Sequence, residues 1–103
     1  FKLESPVPAD AIPAPGTAGA DEVQRLFDAL GEAAGRPWVM LSAGAGMEAF
    51  QRVLHYAYRA GASGYLAGRA IWLEAFQRFP DWRAIEAGLR ERAIPYMREL
   101  NAL

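Results

Sequence analysis

The sequence contains no cysteine, one histidine and one lysine among its 103 residues. Without cysteine, the chain can form neither a disulfide nor a thiolate metal site. His55, the only histidine, falls inside a predicted helix and away from every predicted strand end, so we expect it at the surface or at the edge of the core. One histidine without cysteine cannot assemble a catalytic zinc site within this chain. We therefore expect neither a metal nor another cofactor.

The sequence also lacks a long apolar run and an excess of charge. No stretch approaches the roughly 20 apolar residues that cross a bilayer, and residues 1–4 have neither an initiator methionine nor a signal-peptide pattern. The formal net charge is −1, and the ten arginines are scattered along the predicted helices. These features predict a cytoplasmic protein without a nucleic-acid or membrane partner. The first residues also favour a chain that is part of a longer polypeptide.

Apolar runs alternate with helical periodicity along the chain. Hydrophobic residues make up 52% of the sequence, which is enough for a buried core. Residues 8–19 are rich in Ala, Pro and Gly and predict a loop without its own period. The pattern predicts three strands, near 1–7, 37–42 and 63–67. It predicts helices over 21–34, over 47–60 and from Arg69 through Phe76. A further helix is predicted to begin after an N-cap at Asp81 and to break or restart at Pro95.

This order predicts an α/β fold with a parallel sheet and right-handed crossovers. Three parallel strands alone would leave unpaired sheet edges and one uncovered face of the sheet. We therefore expect residues 1–103 to form part of a (β/α)₈ barrel, of which the chain is less than half, since such barrels run to about 250 residues. An independent small α/β domain is the competing interpretation.

Two strand-to-helix turns carry small residues at the predicted strand ends. One is Ser42-Ala43-Gly44 and the other is Ala67-Gly68-Arg69. Glycines let backbone N–H groups approach an anion closely, and the Arg69 guanidinium can grip a phosphate in a bidentate way beside a helix N-terminus. Each turn alone could be an ordinary turn with an exposed arginine, but the pair favours a phosphate site.

Lys2, the only lysine, lies in the first predicted strand. A lysine that points into an apolar barrel becomes a neutral amine more easily, because burial disfavours the ammonium form. A neutral amine can attack a ketone and form a Schiff base, which arginine cannot do. The alternative is a frayed lysine that faces solvent. Glu4 should share its face and would either relay protons or hold the lysine charged as an ion pair.

The three tryptophans, Trp38, Trp72 and Trp82, are expected to pack helices against the sheet rather than to stack on ligands. The stretch Gly16-Thr17-Ala18-Gly19 is only superficially similar to a phosphate loop, because no Lys-Ser/Thr pair follows it. We assign it no function.

Three segments of the sequence, residues 1–7, 38–44 and 60–70, together resemble the last three strands of the class I tagatose 1,6-bisphosphate aldolase family, with sulfofructose-phosphate aldolases as near relatives. They read Phe-Lys-Leu-Glu-Ser-Pro-Val, Trp-Val-Met-Leu-Ser-Ala-Gly and Ala-Gly-Ala-Ser-Gly-Tyr-Leu-Ala-Gly-Arg-Ala. The resemblance implies that the chain is the C-terminal part, the last three βα units, of a TIM (β/α)₈ barrel. It also implies that Lys2 is the Schiff-base lysine and that the substrate phosphate is held by Ser42, Ala43, Gly44, Ala67, Gly68 and Arg69.

The resemblance implies a lyase that cleaves a ketose bisphosphate such as tagatose 1,6-bisphosphate, or a sulfofructose phosphate, to dihydroxyacetone phosphate and an aldehyde. The proton-transferring glutamate of the family lies on an earlier strand, so we expect this chain to be inactive alone and the full-length protein to be a homo-oligomer. Two alternatives remain: another phosphate-binding barrel enzyme, such as an isomerase or decarboxylase, and a non-catalytic truncated barrel that acts as a binding module.

Overall fold

The computed structural model describes residues 1–103 and contains three strands and five α-helices. The strands are β1 (Lys2–Leu3), β2 (Val39–Leu41) and β3 (Gly64–Leu66). The helices are α1 (Ala20–Ala34), α2 (Met47–Arg59), α3 (Arg69–Phe76), α4 (Trp82–Gly88) and α5 (Ile94–Ala102), with a 3₁₀ turn at Ala9–Ala11 and a π-helical turn at Leu89–Ala93. No helix is long and apolar enough to cross a membrane.

Local sequence signals explain where the helices begin and end. Gly35 ends α1 in the left-handed conformation, with a φ of 60°, and its N–H donates to the Gly31 carbonyl. Asp81 caps α4, because its carboxylate accepts a hydrogen bond of 3.0 Å from the backbone N–H of Ala84. Both α1 and α2 lie within one residue of the ranges that the periodicity predicts.

The three strands are parallel and adjacent in chain order, β1–β2–β3. Side chains alternate between the two faces of the sheet. One face carries Leu3, Met40 and Tyr65, which are paired in register and pack in the core. The opposite face, which we call the open face, carries Lys2, Val39, Leu41 and Leu66.

All the buried side chains that line the core come from one side of the sheet. Phe27 of α1 stacks on Tyr56 of α2 with 5.6 Å between ring centroids, and Phe50 meets Tyr65 of β3 edge to face at 6.0 Å. Each fully buried aromatic side chain of this kind contributes about 1.5–3 kcal/mol. The helices therefore cover a single face of the sheet, which is consistent with a barrel wall rather than with a doubly wound sheet.

The first strand is shorter than the predicted range 1–7, because a local turn interrupts it. The Ser5 hydroxyl donates to the Val7 carbonyl at 2.6 Å and accepts from the Val7 N–H at 3.3 Å. Prolines at positions 6 and 8 cannot donate to a sheet ladder. The loop that follows is also not wholly irregular, because it contains the 3₁₀ turn.

The chain stays helical through Pro95, but the type of helix changes beside it, because the π-helical turn ends at Ala93 and α5 begins at Ile94. The π-helical turn at 89–93 widens the preceding backbone, and the N–H of Ile94 bonds to the Leu89 carbonyl. Pro95 lies in the first turn of α5, where a missing backbone N–H is tolerated.

Two of the three tryptophans differ from the prediction. Trp38 is buried in the core as expected, whereas Trp72 is 40% exposed and Trp82 is 62% exposed. The helices α3 and α4 approach closely through Gly88, where an added Cβ would lie 3.1 Å from the Ala75 Cβ, so their large side chains lie outside this contact. There they pack on one another, with Trp72 against Phe76 at 5.4 Å and Trp82 against Phe79 at 5.7 Å.

Candidate functional site

The two predicted turns lie side by side at the carboxyl ends of β2 and β3. The backbone N–H of Ser42 donates to the Leu66 carbonyl at 3.1 Å, so the end of β2 is joined directly to the end of β3. Because parallel strands end at the same edge of a sheet, the residues that follow them meet there. The structure thus brings together the segments 42–44 and 67–69.

The first of these turns has a strained backbone. Ala43 has a φ of 48° and Gly44 a φ of 80°, and the N–H of Ala45 closes the turn on the Ser42 carbonyl at 2.9 Å. Two consecutive left-handed residues with this bond form a type I′ turn, which usually requires Gly or Asn. Left-handed backbone at alanine costs about 1–2 kcal/mol, and strain of this kind is typical of functional sites.

Backbone N–H groups at this edge are free to bind a ligand. The N–H groups of Ala43, Gly44 and Gly46 donate no hydrogen bond within the chain, and those of Ala67 and Gly68 donate none either. Gly46 and Gly68 are also the N-caps of α2 and α3, and neither helix start has a side-chain cap. Free amides at a helix start favour an anion.

Arg69, the first residue of α3, lies across Gly44. A Cβ added at Gly44 would be only 3.1 Å from the Arg69 Nη2 and 3.4 Å from its Cζ. The ion pairs of the chain are Arg90–Glu86 and Arg92–Glu74, so the Arg69 guanidinium has no carboxylate partner. A cation with unused donors therefore lies against the turn that has unused amides, and groups of both kinds are suited to hydrogen bonds with an anion.

Gly68, in the second turn, lies close to a side chain of α3. An added Cβ would lie 3.3 Å from the indole Nε1 of Trp72, one turn later in α3. Long side chains in a helix lean toward its N-terminus, so the indole lies close to Gly68, and a side chain at position 68 would require the indole to shift slightly.

A cavity of about 460 Å³ opens beside the 42–46 turn. The turn forms one wall, and residues 4–10, which follow β1, form the other. The charged side chains that line it are the carboxylates of Glu4 and Asp10. Asp10 had no functional role among the sequence-based predictions, although it is the only acidic residue of the Ala/Pro-rich loop that follows the first strand, which is a signal for such a role.

Lys2 lies on the open face and does not line this cavity. Its side chain is exposed and forms neither a hydrogen bond nor an ion pair, so Glu4 does not hold it. Since a strand rises about 3.3 Å per residue, Glu4 is about 6.6 Å further toward the cavity, within the reach of an extended lysine side chain. Leu41 and Leu66 share the open face with it.

Tyr96 of α5 contacts the start of α2, which adjoins the 42–46 turn. Its hydroxyl donates to the carbonyl of Met47, the first residue of α2, at 2.6 Å. Burial raises the pKa of Tyr96 to about 12, with a further contribution from Tyr65. The bond fixes the start of α2, which is next to Gly46, and sequence reasoning did not identify it because 49 residues separate the two partners.

His55 lies outside the site. It is half-buried on α2, and its ring meets that of Tyr56 at 5.9 Å. This position at the edge of the core agrees with the expectation from the sequence.

Comparison with known proteins gives matches over much of the chain. A family model described as DeoC/LacD family aldolase matches residues 5–74, a range that includes both turns but begins after Lys2. The tagatose 1,6-diphosphate aldolase 1 of Enterococcus faecalis is 37% identical over 84 residues, which are 77% of this chain and 26% of that protein.

Two further aldolases are similar. The tagatose 1,6-diphosphate aldolase 2 of Streptococcus mutans is 38% identical over 63% of this chain and 21% of its own length. The tagatose 1,6-diphosphate aldolase of Lactococcus lactis is 33% identical over 78% of this chain and 26% of its own length. The chain thus spans about a quarter of the length of the curated relatives that it matches.

Proposed function

Because the chain belongs to the DeoC/LacD family of aldolases, we propose that it supplies the phosphate-binding edge and the Schiff-base lysine of a class I aldolase. The observation that carries this proposal is the unpaired Arg69 guanidinium against the Ala43–Gly44 turn and its free amides. The proposed ligand is a phosphorylated ketose, such as tagatose 1,6-bisphosphate or a sulfofructose phosphate.

We further propose that the chain forms three consecutive βα units of a (β/α)₈ barrel. Strands in chain order and helices on one face support this arrangement. So does the open face, where Val39, Leu41 and Leu66 share one side of the sheet with a lysine that further strands would enclose. Cleavage would then require the complete polypeptide that carries these residues.

In this mechanism, the Lys2 amine adds to the ketone carbon of the substrate, and loss of water gives a protonated Schiff base. The bond between the carbon next to the iminium and the hydroxyl-bearing carbon after it breaks, and its electron pair moves to the iminium to form an enamine. The hydroxyl proton of the leaving fragment passes to a base on another strand. The fragment leaves as an aldehyde. Protonation and hydrolysis of the remaining enamine release dihydroxyacetone phosphate and restore the amine.

The phosphate site contributes by positioning. A phosphate held by Arg69 and by the amides of Gly44 and Gly68 fixes the carbonyl relative to the lysine, and remote binding energy of this kind lowers the barrier to reaction. The hydroxyl of Ser42, at the strand end, would donate a further hydrogen bond to this phosphate.

Borohydride trapping tests the proposal. The complete polypeptide is incubated with dihydroxyacetone phosphate and borohydride, digested and examined by mass spectrometry. We expect a reduced adduct on Lys2 and none on the Lys2→Arg variant, because a guanidinium does not form a Schiff base. Absence of an adduct from Lys2 in the unsubstituted protein would overturn the mechanism.

A second measurement tests the phosphate site alone. Replacing Arg69→Ala should weaken binding of dihydroxyacetone phosphate by about 10-fold or more, since hydrogen bonds to charged groups contribute about 1.5–3 kcal/mol. Arg83→Ala, at an exposed arginine of α4, is the matched control and should change binding little. Equal effects of the two substitutions would contradict the site.

A second candidate function is a phosphate-binding barrel enzyme that does not use a Schiff base. It is favoured by the position of Lys2, which is exposed, outside the cavity and outside the residues that the family model matches. Such an enzyme would keep the Arg69-dependent binding and give no adduct on Lys2.

A further inference from the structure

The indole nitrogen of Trp72 lies beside the second turn of the proposed phosphate site. A Cβ added at Gly68 would be 3.3 Å from the Trp72 Nε1. That Cβ position is itself about 2.5 Å from the backbone nitrogen of Gly68, because both atoms are bonded to the same Cα. The Gly68 nitrogen and the Trp72 Nε1 are therefore at most about 6 Å apart.

Both nitrogen atoms carry an unused hydrogen-bond donor. The N–H of Gly68 donates no hydrogen bond within the chain, and the indole N–H of Trp72 donates none either. A hydrogen bond from N–H to oxygen is about 2.9 Å long, so one anionic oxygen between the two atoms, or two oxygens of the same phosphate, can accept from both. A phosphate at the Gly68 amide is thus within reach of the indole.

Neighbouring aromatic rings hold the indole at this position. The ring of Trp72 packs edge to face on Phe76 with 5.4 Å between centroids, and Phe76 packs in the same way on Trp82 at 6.4 Å. These contacts restrict the orientation of the ring whose nitrogen lies near Gly68. Trp72 is also 40% exposed, so the indole is not sealed off from a ligand.

The hydrogen-bonding properties of an indole suit a phosphate. The indole N–H donates and has no acceptor atom beside it, whereas the oxygens of a phosphate accept. Arg69 lies across Gly44 in the first turn, and Trp72 lies beside Gly68 in the second. Two side chains of the same helix, α3, thus provide donors at the two turns.

We infer that Trp72 is a further binding residue of the phosphate site, and that its indole N–H donates a hydrogen bond to the phosphate held by Arg69 and the Gly68 amide. The inference rests on the proposed function, since it takes that phosphate as the ligand. It adds a neutral side-chain donor to a site that otherwise consists of one cation, backbone amides and the Ser42 hydroxyl.

Nuclear magnetic resonance tests this hydrogen bond directly. In the ¹⁵N-labelled complete polypeptide, the indole signal that disappears in Trp72→Phe is that of Trp72. We expect dihydroxyacetone phosphate to move the proton resonance of this N–H downfield, because a hydrogen bond to an anion deshields the proton. Dihydroxyacetone, which lacks the phosphate, should leave it in place. A Trp72 signal that dihydroxyacetone phosphate does not move would overturn the inference.

Binding affinity provides the second measurement. Trp72→Phe keeps an aromatic ring beside Phe76 and removes the N–H donor. We expect the Kd for dihydroxyacetone phosphate to rise about 5- to 10-fold, as for the loss of one hydrogen bond to a charged ligand at a partly exposed position. Trp82→Phe is the matched control, because it makes the same change at an indole that is 62% exposed on α4, and it should leave the Kd unchanged. An unchanged Kd in Trp72→Phe, or an equal rise in both variants, would contradict the role of Trp72.

Arg69→Ala separates this failure from failure of the proposed phosphate site. If Arg69→Ala weakens binding of dihydroxyacetone phosphate while Trp72→Phe binds normally and the indole signal stays in place, only the role of Trp72 is overturned. If Arg69→Ala binds the compound as tightly as the unsubstituted protein does, both the site and the role of Trp72 are overturned.

Discussion

The two faces of the three-stranded sheet have different roles. On the helix-covered face, Met40 and Phe50 are fully buried, and their contacts stabilise the fold. On the open face, Lys2 is exposed and Leu66 is 47% exposed. The covered face therefore carries the stability of this segment, while the open face and the adjoining strand ends carry the groups suited to chemistry. Substitutions should therefore affect either stability or activity, because few residues contribute to both.

The largest expected effect is on the open face. Replacing Lys2→Ala in the complete polypeptide should reduce aldol cleavage by about 10³-fold or more, since loss of a covalent nucleophile removes the pathway. The free energy of unfolding should change by less than about 1 kcal/mol, because Lys2 forms neither an ion pair nor a side-chain hydrogen bond that the substitution would remove. Steady-state kinetics and urea denaturation measure the two quantities, and substantial cleavage by the variant would contradict the role of Lys2.

On the covered face, Phe50→Ala should show the reverse pattern. Removal of a fully buried ring should lower the free energy of unfolding by about 3–5 kcal/mol. Phe79→Ala is the matched control, because Phe79 is 63% exposed and its loss should cost far less. Equal losses in denaturant titrations would show that the covered face is not the stabilising one.

Substitutions in the 42–44 turn should change both the stability of the fold and the binding of phosphate. Gly44→Ala places a Cβ against Arg69 at a left-handed position. It should lower stability by about 1–2 kcal/mol and weaken phosphate binding by displacing the guanidinium. Ala43→Gly, at the neighbouring left-handed position, relieves strain and should leave phosphate binding intact. Calorimetry and thermal unfolding would compare the pair, and tight binding by Gly44→Ala would contradict the close approach of Arg69.

The smallest effect concerns Tyr96, which links the covered face to the start of α2. In the folded protein its pKa is raised to about 12 from the usual value near 10, so the folded state holds the proton more tightly than the unfolded state. This contribution to stability is full below about pH 10 and is lost as the pH rises toward 12.

Tyr96→Phe should therefore reduce the fall in stability over that pH range. At neutral pH it should cost about 1 kcal/mol through loss of the hydrogen bond to Met47. Denaturant titrations from pH 8 to 12 provide the measurement. Parallel pH profiles of the two proteins would indicate that Tyr96 does not carry the effect.

Local patterns predicted the helices well but some strand and side-chain positions poorly. The apolar stripe of α2 and the cap at Asp81 depend on neighbours within one or two turns, so the sequence is sufficient for them. The prediction that Trp72 and Trp82 cover the sheet is wrong, because burial of a helix face depends on which other helix packs beside it. The early end of β1 depends on the Ser5 turn, which periodicity does not reveal.

Sequence and tertiary structure thus determined different parts of the site. The sequence by itself determined that glycines and an arginine follow two parallel strands, and its resemblance to an aldolase family agrees with the family matches over residues 5–74. Only the tertiary structure decided that Arg69 lies across Gly44, that Asp10 and this turn line one cavity and that Lys2 lies on an uncovered face. These relations join residues far apart in the chain, and their distances follow from packing rather than from local propensity.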